Sequence, residues 1–456
     1  MDFDLHIIGG GINGIISAIY AKSRNPRLNI CIHEQSSKLG GNLIGHLYEE
    51  DDLYFDKGTH IFQETGNQLI DDIITNSIDE KHLIYFEKGK GDITGSIQQN
   101  KLNTHSHFID IRQNKPLRNH VLNHITAKNI ERNIDYNLNV STTLNLLFGN
   151  DFKNRYENTF SRLYKHDVDK LSSICIIFPG LNRVVLDDLS KWKNKIEDST
   201  YRKLVGVPNQ LKLPKNLIHN KKSYYSKILG TKNFIEGLEK TLKYYRINVF
   251  KNSKIIDING EEKIIVSSVK GKKTVFQYNR ILISSGVLSA NNILKYNKPI
   301  NLDPSLKITY FHIKLKHKTL KDVFYFYNLE SDINFYRVTN YRSFSGDIND
   351  KRITIEVINC ENNSEKNVGK ILSFLKKINF LKSKEYDKLF VEEDKYGFPC
   401  LSISNLKSIK KLNDFLVNHV TDDIMISGMG SGDFNFFQNQ ILKHSIDLLE
   451  LSLPSK

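Results

Sequence analysis

The run Gly9-Gly10-Gly11-Ile12-Asn13-Gly14 is the first place where residue type and spacing point to chemistry. Glycines at 9, 11 and 14 follow G-x-G-x-x-G, and each has a mechanical job. Gly9 permits a tight turn, Gly11 has no side chain to hold a pyrophosphate off the backbone, and Gly14 lets a helix approach a sheet. The setting supports the spacing. Leu5 to Ile8 reads as a short apolar strand with His6 embedded, and Ile15, Ile16, Ala18, Ile19 and Ala21 recur as one apolar helical face. A second strand, Leu28 to His33, ends at Glu34, placed to bind both hydroxyls of an adenosine ribose and to repel a 2′-phosphate. The helix N-terminus adds unpaired amides and partial positive charge for an anion. Gly9, Gly11, Ile12, Asn13, Gly14 and Glu34 therefore form a candidate dinucleotide site, with NAD and FAD both open at this point.

A chain of 456 residues exceeds one ordinary core, so two or three domains are expected. An acidic start that runs directly into the nucleotide unit predicts no cleavable signal peptide. The longest apolar candidate, SSICIIFPGL, is too short to span a bilayer, and its IIFPGL part, around 176–181, reads as a buried strand and turn. Cys31, Cys175, Cys360 and Cys400 lie far apart without CxxC or other metal-ligand spacing, which suits buried thiols and a cytoplasmic location. His105 and His107 share a face of a strand expected at His107 to Arg112, but no third ligand accompanies them, so no metal is assigned. The net charge of +14 comes from lysine spread along the chain, with small clusters at 270–273 and 406–412. Without a basic tail or aromatic-interleaved stripe, nucleic acid is not an expected partner; an anionic small-molecule substrate is. Peripheral membrane contact and oligomeric state stay open.

The pattern changes twice along the chain. Helices are expected around 120–134 and 141–166. From Tyr224 the order is a glycine turn, a helix with apolar Phe234, Leu238 and Leu242, two strands, and a strand pair joined by a Lys-Gly-Lys-Lys turn. An apolar strand then ends in Ser284-Ser285-Gly286. Residues 307–315, 323–328, 334–339 and 351–358 alternate like strands of a separate antiparallel sheet. The last segment reads as a buried strand, a glycine loop and an amphipathic helix. The fold class is thus α/β: a discontinuous Rossmann-like domain (1–75, 223–300 and 395–456) with an inserted α+β substrate or cap domain (76–222 and 301–394) containing an antiparallel sheet.

That order resembles the FAD-binding superfamily of amine oxidases, protoporphyrinogen oxidase, phytoene desaturases and UDP-galactopyranose mutase, over about half of the chain. GGGING with Glu34 is similar to its ADP-binding unit, and SKLGGN at 37–42 to the extension that follows the acidic residue. FDKGTHIF at 55–62 resembles the segment lining the isoalloxazine ring, and MISGMGSGDFNFF at 425–437 the last return to the flavin. The resemblance implies FAD as cofactor. It adds Gly40, Gly41, Asn42, Ile255, Ser285, Gly428, Ser431 and Asp433 to the cofactor-binding residues and His60 as a catalytic candidate. Where the superfamily commonly has Gly-Arg or Gly-Glu, this chain has Gly428-Met429, so a contact is missing there or comes from Ser431 or Asp433.

The resemblance implies an FAD-dependent oxidoreductase of the amine-oxidase or protoporphyrinogen-oxidase-like group, acting on a sugar or small biosynthetic intermediate. The alternatives are a flavin-dependent nucleotide-sugar isomerase like UDP-galactopyranose mutase, and a flavoprotein-like binding partner without turnover. For the isomerase, Arg183, Arg337 and Arg342 are the candidate substrate-binding residues, because a planar guanidinium binds phosphate oxygens bidentately.

Overall fold

The computed structural model describes residues 2–86, 93–127, 135–177, 179–214, 222–269, 271–296, 298–329, 332–360 and 364–453. The chain divides into two compact units, residues 1–85, 224–301 and 407–456 in one, and 86–223 and 302–406 in the other.

The first unit is built on β1 (Asp2–Ile8), α1 (Ile12–Arg24) and β2 (Ile30–Glu34). After α2 (Gly230–Tyr244) come β3 (Asn248–Lys251), β4 (Ser253–Asn259), β5 (Ile264–Val269) and β6 (Lys272–Ile283), and the unit closes with β7 (Ile424–Ile426) and α3 (Gln438–Ser452). The sheet order is β3-β2-β1-β6-β5-β4, with β7 also on β6. Strands β3, β2, β1, β6 and β7 pair in parallel, while β4, β5 and the first half of β6 form an antiparallel meander. Parallel neighbours need a crossover, and α1 supplies it between β1 and β2.

Alternation along the strands sorts the core. Leu5 and Ile7 on β1 and Ile30 and Ile32 on β2 face α1, where Ile15, Ile16 and Ile19 meet them together with Leu442, Ile446 and Leu449 of α3. Ile8 turns to the other face and packs with Ile255, Ile265, Tyr278 and Ile281. Phe234, Leu238 and Leu242 bring α2 into the α1-side core.

The second unit carries the expected separate sheet. Its strands run in the order Tyr386–Phe398, Leu306–Leu315, Arg352–Ile358, Arg337–Asn340, Tyr325–Asn328, Thr94–Gln98 and Lys101–Asn103. All neighbours are antiparallel except Tyr325–Asn328 with Thr94–Gln98. Helices Lys115–Ala127, Val140–Phe148 and Asn150–Tyr164 accompany it. The last two replace one long expected helix because Gly149, at φ 88°, breaks the run. Residues 128–134 of the other expected helix, and Lys270 of the Lys-Gly-Lys-Lys turn, lie outside the described residues.

Two local readings are corrected. SSICIIFPGL contains a short helix, Ile174–Ile177, in place of a strand. The strand expected at His107 to Arg112 is limited to Ile109–Asp110, because Arg112 folds back onto the Asp110 carboxylate at 2.7–3.1 Å. His107 sits against Gly180, where a Cβ would come within 2.6 Å of its Nε2, and its Nδ1 is buried without a partner. Burial, with the nearby Arg183 charge, lowers its pKa to about 4.

A histidine whose pKa falls on folding binds fewer protons in the native state, so its contribution is complete above the unfolded value and is lost as pH falls toward the folded one. His107 should therefore lower the unfolding free energy by about 1–3 kcal/mol between pH 6.5 and 4. Denaturant midpoints measured across this range for wild type and His107→Leu check it: the variant should lose that part of the slope, and an identical slope contradicts the assignment.

Candidate dinucleotide site

The GGGING loop joins β1 to α1, and its glycines are glycines for different reasons. Gly9 has φ 109°, a left-handed conformation that a side chain strains. A Cβ on Gly10 would lie 2.3 Å from Leu39 and 2.9 Å from Glu34 Cβ, and one on Gly14 would lie 2.0 Å from the Gly9 carbonyl oxygen. Gly11 differs. Its φ of −71° and ψ of 175° suit any residue, and nothing lies within 4 Å of where its Cβ would point. The protein itself has no need of glycine there; open space in front of a helix N-terminus is what a bound anion needs.

The LGGN turn completes the cradle. Gly40 N donates to Gly10 O at 2.7 Å, and a Cβ on Gly41 would be 3.4 Å from Gly11 Cα. Gly40 and Gly41 both have positive φ, 110° and 56°, and Asn42 is exposed beside them in the short turn Gly41–Leu43. Glu34 lies at the end of β2 with its carboxylate oriented by two amides: Gly10 N donates to Oε2 and Ser36 N to Oε1, both at 2.7 Å. Each oxygen keeps a further lone pair, which fits the recognition of a ribose diol.

Asn13 has another task. Its Nδ2 donates to Ser284 O and Ser427 Oγ, each at 3.3 Å, and its Oδ1 accepts from Ser445 Oγ at 2.7 Å. The buried amide thus ties α1 to the ends of β6 and β7 and to α3, and only its main chain remains for a ligand. Ser284 Oγ donates to Ile8 O and Gly9 O, each at 3.0 Å, while Ser285 is exposed and bonded to Ser289. Gly428 fits tightly, since a Cβ would meet Gly286 N at 2.5 Å.

Of the residues expected to compensate for Met429, Ser431 is buried with its hydroxyl donating to Gly428 O at 2.7 Å and lying 3.2 Å from His444 Nδ1. Asp433 and Met429 are exposed. The Ile255 side chain packs into the core with Ile8, leaving its backbone alone for adenine.

His60 is half-buried in the irregular stretch between Leu53–Phe55 and Phe62–Gln63. That stretch begins at Asp56, which sequence reasoning missed. The buried Asp56 carboxylate accepts from Thr231 N at 3.1 Å, Thr231 Oγ1 at 2.7 Å and Tyr225 OH, capping α2 from a distant segment. Acid, hydroxyl and amide come from positions far apart in the chain, so no local signal marks the hub.

The three arginines belong to the second unit. Arg337 donates to Glu356 through Nε at 2.7 Å and Nη2 at 2.9 Å, and Tyr325, Tyr327 and Tyr336 surround it with ring centroids 5.7–6.0 Å away. Burial opposes its charge, but Glu356 outweighs that and holds it firmly protonated. Arg342 donates to Thr319 O and Ile348 O. Arg183 is half-buried, and burial followed by repulsion from Arg202 lowers its pKa. The fork of Arg337 is thus already spent on a carboxylate.

Residues 7–74 match the family described as the NAD(P)-binding Rossmann-like domain. The fold of that stretch is Rossmann-like. A search of curated proteins finds no match to the sequence. Among solved structures, reduced UDP-galactopyranose mutase is similar with a TM-score of 0.72 at 14% identity, covering 99% of this chain and 93% of its own. A protein from Exiguobacterium sp. 255-15 assigned as protoporphyrinogen oxidase gives 0.66 at 15%, covering 99% and 98%. A redesigned putrescine oxidase gives 0.58 at 12%, also covering 99% and 98%. At these identities the likeness is one of fold.

The glycines of the Rossmann loop should separate on substitution. Gly14→Ala should cost about 1–3 kcal/mol through overpacking, while Gly11→Ser, which places a good N-cap in open space, should stay within about 0.5 kcal/mol of wild type. Thermal denaturation of both variants reads the difference. Glu356→Ala, which strands a buried guanidinium, should cost about 3–5 kcal/mol by chemical denaturation; a near-neutral result would release Arg337 for ligand binding.

Proposed function

We propose that the chain is an FAD-dependent oxidoreductase. The observation that carries the reading is the open space at Gly11, set between the GGGING and LGGN turns at the N-terminus of α1. Gly9, Gly11, Ile12 and Gly14 are the residues to receive the pyrophosphate through their main chain, Glu34 the adenosine ribose, and Gly40 and Gly41 the chain leading toward the flavin. The Glu34 carboxylate disfavours a 2′-phosphate, and the GGN extension and four-segment resemblance favour FAD over NAD. Bound flavin supplies the hydride or electron chemistry, and the protein's part is to hold it, orient the substrate and exclude water.

The nucleotide-sugar isomerase is the second reading. The similarity to reduced UDP-galactopyranose mutase over nearly the whole chain favours it. The pairing of Arg337 with Glu356 weighs against one of its proposed diphosphate ligands, and so we rank it second. An anionic small molecule remains the proposed substrate class. No helix among the described residues is long and apolar enough to cross a membrane.

The purified protein should show flavin absorption that bleaches with anaerobic dithionite, and mass analysis of the released nucleotide should return FAD. Gly11→Val should keep its circular dichroism and lose the flavin. Release of NAD, or unchanged flavin content in Gly11→Val, contradicts the placement. A spectral shift with a UDP-sugar confined to the reduced protein would promote the isomerase.

A further inference from the structure

The sheet face turned away from α1 holds a group that the dinucleotide site does not use. His6 sits opposite Cys31 in the parallel β1–β2 ladder, and His33 follows two residues along β2, so alternation brings all three side chains to that face. They are fully buried, at 0%, 0% and 1% exposure. His6 Nδ1 lies 3.1 Å from His33 Nε2 and 3.1 Å from Cys31 Sγ, and 3.5 Å between Cys31 Sγ and His33 Nε2 closes the triangle.

The outer nitrogens are anchored. His6 Nε2 is 3.0 Å from Gln277 O, and His33 Nδ1 is 3.0 Å from Ser253 Oγ. A carbonyl only accepts, so His6 carries its proton on Nε2 and turns the Nδ1 lone pair into the triangle. Metal-binding imidazoles are held in the same way, with the remote N–H fixed by a carbonyl or another acceptor. Phe3, Phe250 and Phe276 close the pocket, with Phe250 stacked on His33 at 5.2 Å and Phe276 5.1 Å from it. Each ring is thus held by its outer nitrogen and has its inner nitrogen left for the triangle.

We propose that His6, Cys31 and His33 form a buried three-coordinate site for a thiophilic d10 metal ion, copper(I). With bonds as long as those at zinc, about 2.0 Å to nitrogen and about 2.3 Å to sulfur, a planar triangle has edges of about 3.5–3.7 Å, so the ligands open by roughly 0.2–0.6 Å on binding. Charge selects the ion. The thiol releases its proton to solvent as the Cu–S bond forms, and one thiolate with Cu(I) and two neutral imidazoles is electrically neutral in a pocket walled by phenylalanines. Zn(II) would leave a net positive charge there and would lack a fourth ligand. His6 stands three residues before Gly9 and His33 directly before Glu34, so the ion would staple together the strand ends that carry the glycine loop and the ribose-binding acid.

The test uses the full chain, loaded anaerobically with Cu(I) as its acetonitrile complex and then washed with a Cu(I) chelator. Wild type should retain one copper per chain, show one sulfur and two nitrogen neighbours by X-ray absorption, and unfold at a higher temperature than the metal-free protein. Cys31→Ala, a small apolar replacement checked for folding by circular dichroism, should retain less than about a tenth of that copper. Equal retention by wild type and Cys31→Ala overturns the site, as does a copper spectrum without sulfur. Stoichiometric zinc retained in preference to copper overturns the charge-balance assignment. Should Cys31→Ala fail to fold, the absorption spectrum of the wild-type complex decides alone.

Discussion

A methyl group on Gly14 would sit 2.0 Å from the Gly9 carbonyl oxygen, so α1 lies against β1 at a distance that only a bare Cα permits. The rest of the nucleotide unit depends on that approach. It brings Ile15, Ile16 and Ile19 onto Leu5, Ile7, Ile30 and Ile32, and it points the first amides of α1 into the space beside Gly11 and Gly41. The polar side chains at the junction of α1, β6, β7 and α3 are buried. The polar groups there must satisfy one another, and Asn13, Ser284, Ser427 and Ser445 do so. The side chain of Asn13, inside the glycine motif, is thus a structural clamp.

The two faces of the β1–β2 pair divide the work by the period of the strand. One face is aliphatic and packs the helices. The other carries His6, Cys31 and His33 among aromatic rings, covered by the meander that supplies Ser253 and Gln277. Both faces end at the same loop, so packing above and polar contacts below bear on Gly9 and Glu34 together. Asp56 plays a comparable part for the extension, holding its loop to the start of α2 through Thr231 and Tyr225.

In the second unit the governing constraint is the cost of burying charge. Arg337 and Glu356 occupy facing positions on neighbouring strands and satisfy each other bidentately among tyrosines. An isolated guanidinium in that place would be expensive, so the carboxylate is what makes the position tolerable.

Sequence alone determined what depends on local order. The β1–α1–β2 unit, its glycine spacing, Glu34, the alternation of the second sheet and the resumption of the nucleotide fold near residue 224 all follow from periodicity and turn chemistry, which act over a few residues. The extent of the strand at 107–112 and the helix at 174–177 escaped, because side-chain bonds and packing override weak local preference there. Tertiary structure decided which polar residues meet. That Asn13 is a clamp, that Arg337 is already paired, that Asp56 caps a helix some 175 positions away and that His6 joins Cys31 and His33 are long-range facts. Cys31-Ile32-His33 shows two ligand types two apart on a strand, yet nothing local says that His6 lies beside them. Sheet register, which pairs His6 with Cys31, is set by the packing of the whole unit, and that is why only the folded chain reveals it.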